Sequence, residues 1–302
     1  MKTDALRNTP LPDNLKESSA TKAPKVVNKQ QETVSPRVQA HTHNHSAAYI
    51  LSQIAHRYAV AGNTREGNLT IEQRAARRER INAARKQQNL ENIMQQALSY
   101  VDEREPNEEV DPDWLFQFFE MAESIFSQPM QRLWGKILAM QTLRPGSFSL
   151  RSLSTLKQMT HREAIVFQSA CAILVRDKQE YGARILTGCY ALPVWFGLLH
   201  PRKSKNVNLS KFGLSYPDLL SLIDLNLIYA SEIESSMEAG QIIELEGGAK
   251  RLRLSVKTGG QVLTYYKLTQ SGNELSRLIA CELNAAYVEQ LAATLAPAFE
   301  LS

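Results

Sequence analysis

Apolar positions recur with a helical period through most of residues 111–174. Trp114, Leu115, Phe118, Phe119, Ala122 and Ile125 keep that spacing. They follow Asp111-Pro112, where Asp111 can cap and Pro112 fills a first-turn position that needs no N–H. Met130, Leu133, Trp134, Ile137 and Leu138 match the i, i+3, i+4, i+7, i+8 pattern between a restart at Ser127–Pro129 and a break at Pro145-Gly146. Leu150, Leu153, Leu156 and Met159 predict a shorter helix. Thr160-His161-Arg162-Glu163 is a capping box, opening a helix that carries Ala164, Phe167, Ala170, Cys171 and Leu174. The rest of the chain is organised around these four predicted helices.

Upstream the pattern is weaker. Residues 1–46 are rich in Lys, Pro, Ser, Thr, Asn and Gln and lack apolar periodicity, so a disordered tail is expected. Ile50, Leu51, Ile54, Ala55 and Tyr58 predict a short amphipathic helix near 47–62, too short to span a membrane. A second capping box, Thr70-Ile71-Glu72-Gln73, opens a long helix running to about Val101. Its second half is amphipathic: Leu90, Ile93, Met94, Ala97, Leu98 and Val101. Its first half has only a thin seam of Ile71, Ala75, Ile81 and Ala84 among Arg74, Arg77, Arg78, Arg80, Arg85 and Lys86. Such a helix is solvated, paired with another chain, or laid on a charged surface.

Beyond Gln179 the period changes. A basic loop, His200 to Lys205, precedes a helix start at Ser215-Tyr216-Pro217-Asp218 and the apolar positions Leu219, Leu220, Leu222, Ile223 and Leu225. Asn226 suits the left-handed conformation that ends a helix. Leu227-Ile228-Tyr229, Gln241–Leu245 and Arg251–Val256 read as strands. In the last, Leu252, Leu254 and Val256 alternate with Arg251, Arg253 and Ser255. Tyr265-Tyr266-Lys267-Leu268 leads to Thr269 and Gly272, then to a long C-terminal helix over 273–295.

Leu219-x-x-Leu222-x-x-Leu225-Asn226-Leu227-Ile228, the β segment, and Tyr266-x-Leu268-Thr269-x-x-Gly272-x-x-Leu275 together resemble a winged helix. The resemblance implies that Thr269 caps the last helix, that Gly272 permits close packing, and that the helix before Asn226 is in the position used to read DNA. That helix carries Asp218 and Asp224 and no cation, which phosphates would repel. Protein docking through Asp218, Ser221 and Asp224 is therefore the first expectation. DNA contact through the wing cations Arg251, Arg253 and Lys257, with Arg202, Lys203 and Lys205 and the Arg-rich helix (Arg74, Arg77, Arg78, Arg85), is the alternative.

A second resemblance rests on Arg85-Lys86-Gln87-Gln88-Asn89-Leu90, Asp113-Trp114-Leu115-x-x-Phe118-Phe119, Gln131-x-Leu133-Trp134-x-x-Ile137-Leu138, Arg144-Pro145-Gly146-Ser147-Phe148-Ser149 and Glu163-Ala164-x-x-Phe167. These segments are similar to an uncharacterised bacterial family of conserved hypothetical proteins and imply no activity. The Leu133-Trp134-x-x-x-Leu138 segment is also similar to one in proteins associated with abortive phage infection, which implies a possible defence role.

The net charge of +4 is too small to demand a nucleic-acid or membrane partner. Its distribution is uneven: residues 1–100 carry +7, residues 101–127 carry −8 and residues 128–160 carry +5. The acidic run 102–113 lacks the spacing and central Gly of a calcium loop. Cys171, Cys189 and Cys281 are odd in number and widely separated, the pattern of free thiols in a reducing compartment. Met1-Lys2-Thr3-Asp4 does not open a signal peptide, so a cytoplasmic location is expected. No metal, cofactor or catalytic motif stands out. His41, His43 and His45 alternate without an acidic or Cys partner, and His56, His161 and His200 have no nucleophile beside them in sequence.

The sequence therefore predicts a mainly α protein with a tail over 1–66, a helical domain over 67–159 and a winged-helix-like α+β domain over 160–302. It predicts a non-catalytic binding protein without cofactor and with no membrane partner, engaging an unknown protein or double-stranded DNA. The helices at 70–100 or 273–295 are candidates for a homodimer.

Overall fold

A computed structural model describes residues 46–60, 69–101, 108–177, 182–192 and 204–302. The predicted tail over 1–45, with His41, His43 and His45, lies outside the described residues, as do His200, Arg202 and Lys203. The chain divides into two units, Met1–Ile54 and Ala55–Ser302. Helix α1 (Ala47–Arg57) buries no residue.

In the larger unit the helices follow the local signals. Helix α2 (Ile71–Tyr100) starts at a Thr70 capping box closed by Gln73. Its buried positions are Asn89, Ile93 and Ala97, all in the second half. Helix α3 (Pro112–Ala122) is capped by Asp111, which accepts from the Asp113 N–H at 2.9 Å. Helix α4 (Gln128–Leu143) packs along α2. At their contact a Cβ added to Gly135 would stand 2.5 Å from the Gln96 Cβ, so the absence of a side chain sets the close approach. Trp114, Phe118 and Trp134 stack through this core, with ring centroids 5.1 and 5.2 Å apart. Helix α5 (Leu150–Gln158) is capped by Ser149, and α6 (His161–Cys171) by the Thr160 box.

The second half is not the small β wing on a helical body that the sequence predicted. Strands β1 (Val175–Asp177), β2 (Ala183–Ala191), β3 (Lys205–Asn206), β4 (Ile233–Met237), β5 (Ile242–Gly247), β6 (Lys250–Val256), β7 (Gln261–Lys267) and β8 (Phe299–Leu301) form an eight-stranded antiparallel sheet. Its order is β4-β7-β2-β1-β5-β6-β8, with β3 paired to β2. The protein is thus mixed α/β, not mainly α. Strand β2 is buried from Ala183 to Tyr190, so it shows no alternation by which to recognise it.

Between β3 and β4 lie a short 3-10 helix (Leu209–Phe212) and α7 (Tyr216–Asp224). Asn226 ends α7 with φ 54°, as its residue type predicts. The expected strand at 227–229 is a single bridge, Ile228 to Leu268. Thr269 caps α8 (Gln270–Ser276) and its hydroxyl donates to the Asn226 carbonyl at 2.5 Å. A Cβ on Gly272 would fall 2.0 Å from the Leu227 carbonyl oxygen. The expected continuous helix over 273–295 is instead two helices. After α8 the chain turns so that Leu278 and Leu283 both enter the core, and Asn284 caps a new helix, α9 (Ala285–Leu295). Tyr287 of α9 is fully buried and donates to the Leu186 carbonyl at 2.8 Å, beside the β2 irregularity between Leu186 and Gly188.

Candidate functional site

The motif residues converge on one buried carboxylate. Glu274 on α8 is 3% exposed. Its Oε2 accepts from the Ser149 N–H at 2.7 Å, the Ser149 hydroxyl at 2.9 Å and the Ser152 hydroxyl. Its Oε1 accepts from Gln270 at 2.8 Å. The first turn of α5 thus supplies an anion site, satisfied from within the chain. The preceding segment is pinned as well: Trp114 Nε1 donates to the Phe148 carbonyl at 2.8 Å, and Gln141 accepts from the Phe148 N–H at 3.0 Å. Asn89 and Gln131 form a second buried bridge at 3.0 Å and also bond the Glu123 and Ile125 carbonyls. These groups are enclosed and mutually satisfied, which suits fastening.

A buried ion pair lies in the sheet. Arg184 is 2% exposed, 3.4 Å from Asp177, with its guanidinium 4.7 Å from the Tyr265 ring centre. A groove of about 390 Å³ lies between α6 and the α8–α9 connection, lined by Leu133, Leu156, Met159, Phe167, Leu278 and Ile279 among others. Among the described residues Gln168 is the one polar residue that lines it. Exposed His161 opens α6. Among the described residues no group of three His, Cys, Asp or Glu is placed to hold a metal ion.

The cations singled out from the sequence are scattered, and several have structural partners. Arg74 donates to the Leu69 carbonyl at 3.1 Å. Arg85 donates to the Arg57 carbonyl and lies over the Tyr58 ring. Arg77 and Arg78 are exposed on the half of α2 that buries nothing. Lys205 is exposed on β3. Arg251 and Arg253 project from β6 as the alternation predicted, but β5 sets a carboxylate opposite each: Glu246 pairs with Arg251 and Glu244 with Arg253. Arg251 Nε is 3.6 Å from Glu246. Lys257 donates to the Ala296 carbonyl at 2.9 Å, completing the C-terminal end of α9. Helix α2 packs on α4 and α3, while β6 lies between β5 and β8.

The three docking candidates on α7 differ. The Asp218 carboxylate is turned to its own helix start, accepting from the Ser215 N–H at 3.2 Å and its hydroxyl at 2.5 Å, with Arg162 at 3.8 Å. Ser221 donates to the Pro217 carbonyl. Asp224 is exposed. Sequence reasoning passed over the residues beside them. Tyr216 is 68% exposed and Leu220 41%, and with Asp224 they recur at i, i+4, i+8, a single stripe. Tyr229, just after the helix, is also exposed. On α6, Ile165 is exposed on the face from which Arg162 reaches Asp218. Burial, then Glu232, then Tyr216 push the Tyr266 phenol above its ordinary range.

Residues 73–292 match the model of a family described as Protein of unknown function (DUF2806). The chain belongs to the DUF2806 family. No curated protein and no solved structure matches it. The span assigned to DUF2806 runs from the first turn of α2 into α9, and so takes in both the Glu274 anion site and the Asn89–Gln131 bridge. No helix among the described residues is long and apolar enough to cross a membrane.

Proposed function

We propose that this DUF2806 protein is a non-catalytic protein-interaction module, docking through the outer face of α7. The observation that carries this reading is the stripe Tyr216–Leu220–Asp224, with Ser221 beside it and Ile165 on the neighbouring helix. Aromatic and aliphatic side chains left in water on a rigid, cation-free helix suit a protein partner, with Asp224 drawing a basic side chain to the rim. The Asn226 turn, the Ile228–Leu268 bridge and the Thr269 cap support a winged-helix-like reading of this local segment. The carboxylates of β5 argue against the β6 cations as phosphate contacts.

A photoreactive residue at position 220, in cells of the source organism, tests the reading. The expected result is a discrete adduct, absent when the probe sits at Glu238 and lost when Tyr216→Ser and Asp224→Lys are added. Absence of a position-specific adduct overturns it.

Duplex DNA is the second reading, favoured by one observation: Arg77 and Arg78 are exposed on a half-helix that buries nothing. A regulatory or phage-defence role would follow from it; the segments at 70–100 or 273–295 are the candidates for a homodimer contact. Binding to a random duplex with a steep negative dependence of log K on log salt, weakened by Arg77→Ala and Arg78→Ala, would establish it in place of docking.

A further inference from the structure

Cys171 and Cys281 lie far apart in sequence, yet both line one cavity of about 290 Å³, together with Arg176, Glu246, Gly248 and Ser276. Both are free thiols. Cys171 ends α6. Cys281 sits on the connection between α8 and α9, its Sγ 3.8 Å from the Gln168 carbonyl. Residues three apart on a helix share a face, so this contact sets Cys281 against the last turn of α6, on the side where Cys171 projects. The connection is held there from both directions. The Asn284 N–H donates to the Ala172 carbonyl at 2.8 Å. On the other side a Cβ added to Gly248 would fall 2.8 Å from the Cys281 carbonyl oxygen, and one added to Gly247 would fall 2.7 Å from Leu283.

We propose that Cys171 and Cys281 are a thiol-oxidation site, closing to an intramolecular disulfide when a low-molecular-weight disulfide enters the cavity. The Cys281 thiolate, the less buried of the two, attacks one sulfur of the small disulfide. A mixed disulfide forms and one small thiolate leaves. The Cys171 sulfur then attacks the Cys281 sulfur, the bond to the remaining small thiol breaks, and a second small thiolate leaves. Two protein S–H bonds become one S–S bond, the two protons pass to the two small thiols, and the two electrons reduce the small disulfide. The product ties α6 to the α8–α9 connection across the cavity.

Burial raises both thiols, Cys171 to about 12, with Cys281 adding to that rise and Arg176 opposing it. The reaction is therefore slow at neutral pH and accelerates as pH rises. Cys189, buried in β2, is an internal control.

The test exposes the full chain to oxidised glutathione without denaturant at mildly alkaline pH, then alkylates it and maps the peptides. The expected result is a mass lower by two hydrogens, one Cys171–Cys281 cross-linked peptide, and a Cys189 that alkylates only after unfolding. Cys171→Ser or Cys171→Ala should halt the reaction at a glutathione adduct on Cys281. A wild-type protein that stops at that adduct, or reacts only in denaturant, overturns the proposal, and the wild-type map alone decides it.

Discussion

Replacing Glu274 tests whether the buried carboxylate fastens α8 to the start of α5. Its Oε2 takes three donors: the Ser149 N–H and the hydroxyls of Ser149 and Ser152. A hydrogen bond to a charged group contributes about 1.5–3 kcal/mol. The hydroxyls are already 3.0 Å apart and can satisfy each other in part. The Ser149 N–H has no such recourse. One charge-assisted bond lost outright, one weakened, and a small cavity left, less the desolvation of the carboxylate, put Glu274→Ala at about 3–4 kcal/mol. Glu274→Gln keeps the shape and an acceptor, but turns its amide N–H₂ toward Gln270, for about 1–2 kcal/mol. Urea titration gives both values. At about 2–4 °C per kcal/mol for a unit of this size, the Ala variant should melt roughly 6–16 °C below wild type. Ser152→Ala combined with Glu274→Ala should cost less than the sum, by about 0.5 kcal/mol or more, because the two share a bond. A Glu274→Ala variant within about 1 kcal/mol of wild type would refute the fastening role.

Other consequences are open to similar measurement. Gly272→Ala must displace the Leu227 carbonyl, 2.0 Å from the new Cβ, and should lower stability by more than the roughly 1–3 kcal/mol of ordinary overpacking; a neutral result in denaturant titration would mean the bridge segment yields. Asp177→Ala removes the carboxylate 3.4 Å from the buried Arg184 guanidinium and should lower stability, with Asp177→Asn recovering part of the loss by the same assay. Cys171 is raised from 9.0 to about 12, so the folded state holds that proton more tightly than the unfolded one. Its contribution to stability is complete below pH 9 and is lost as pH rises toward 12; denaturant midpoints of wild type and Cys171→Ala should converge across that window. Glu163 is lowered by the Thr160 hydroxyl and then by the Thr160 N–H, so its cap contributes above the unfolded value of 4.5 and is lost below it. Glu163→Gln should flatten the acid limb of the same profile.

Helix starts were legible because caps are local. Thr70, Asp111, Ser149, Thr160 and Ser215 each bond within three residues of themselves, and the stripes behind them repeat at a fixed period. The sheet was legible at β5 and β6, read from sequence as strands over 241–245 and 251–256, but the rest of it was not, for two reasons. Strand β2 is buried on both faces and so does not alternate, while β1, β3 and β8 span three residues or fewer. Helix α9 was expected too early because Leu278 and Leu283 extend the apolar spacing, although each reaches the core from a connecting segment. The candidate site suffered from the same locality. Arg251 and Arg253 read as a basic face because the Glu246 and Glu244 that oppose them belong to another strand and are fixed by register. The Cys171–Cys281 pairing depends on where Asn284 meets Ala172, a contact across the whole second half.

The buried bridges and the exposed stripe of α7 answer to different tests. Trp114, Phe148, Ser149, Asn89 and Gln131 are turned inward and matched to one another, and each has a structural reason to be of its type. A change at any of them is felt first as stability, so a screen that reads only loss of function would return these residues whatever their part in function. The outward stripe Tyr216–Leu220–Asp224 is the converse case. Exposed positions that no internal bond requires can change with little effect on folding. Leu220→Asp should leave the denaturation midpoint within about 0.5 kcal/mol of wild type while abolishing whatever α7 engages. If it instead unfolds the protein, Leu220 belongs to the core and the docking face must be sought elsewhere.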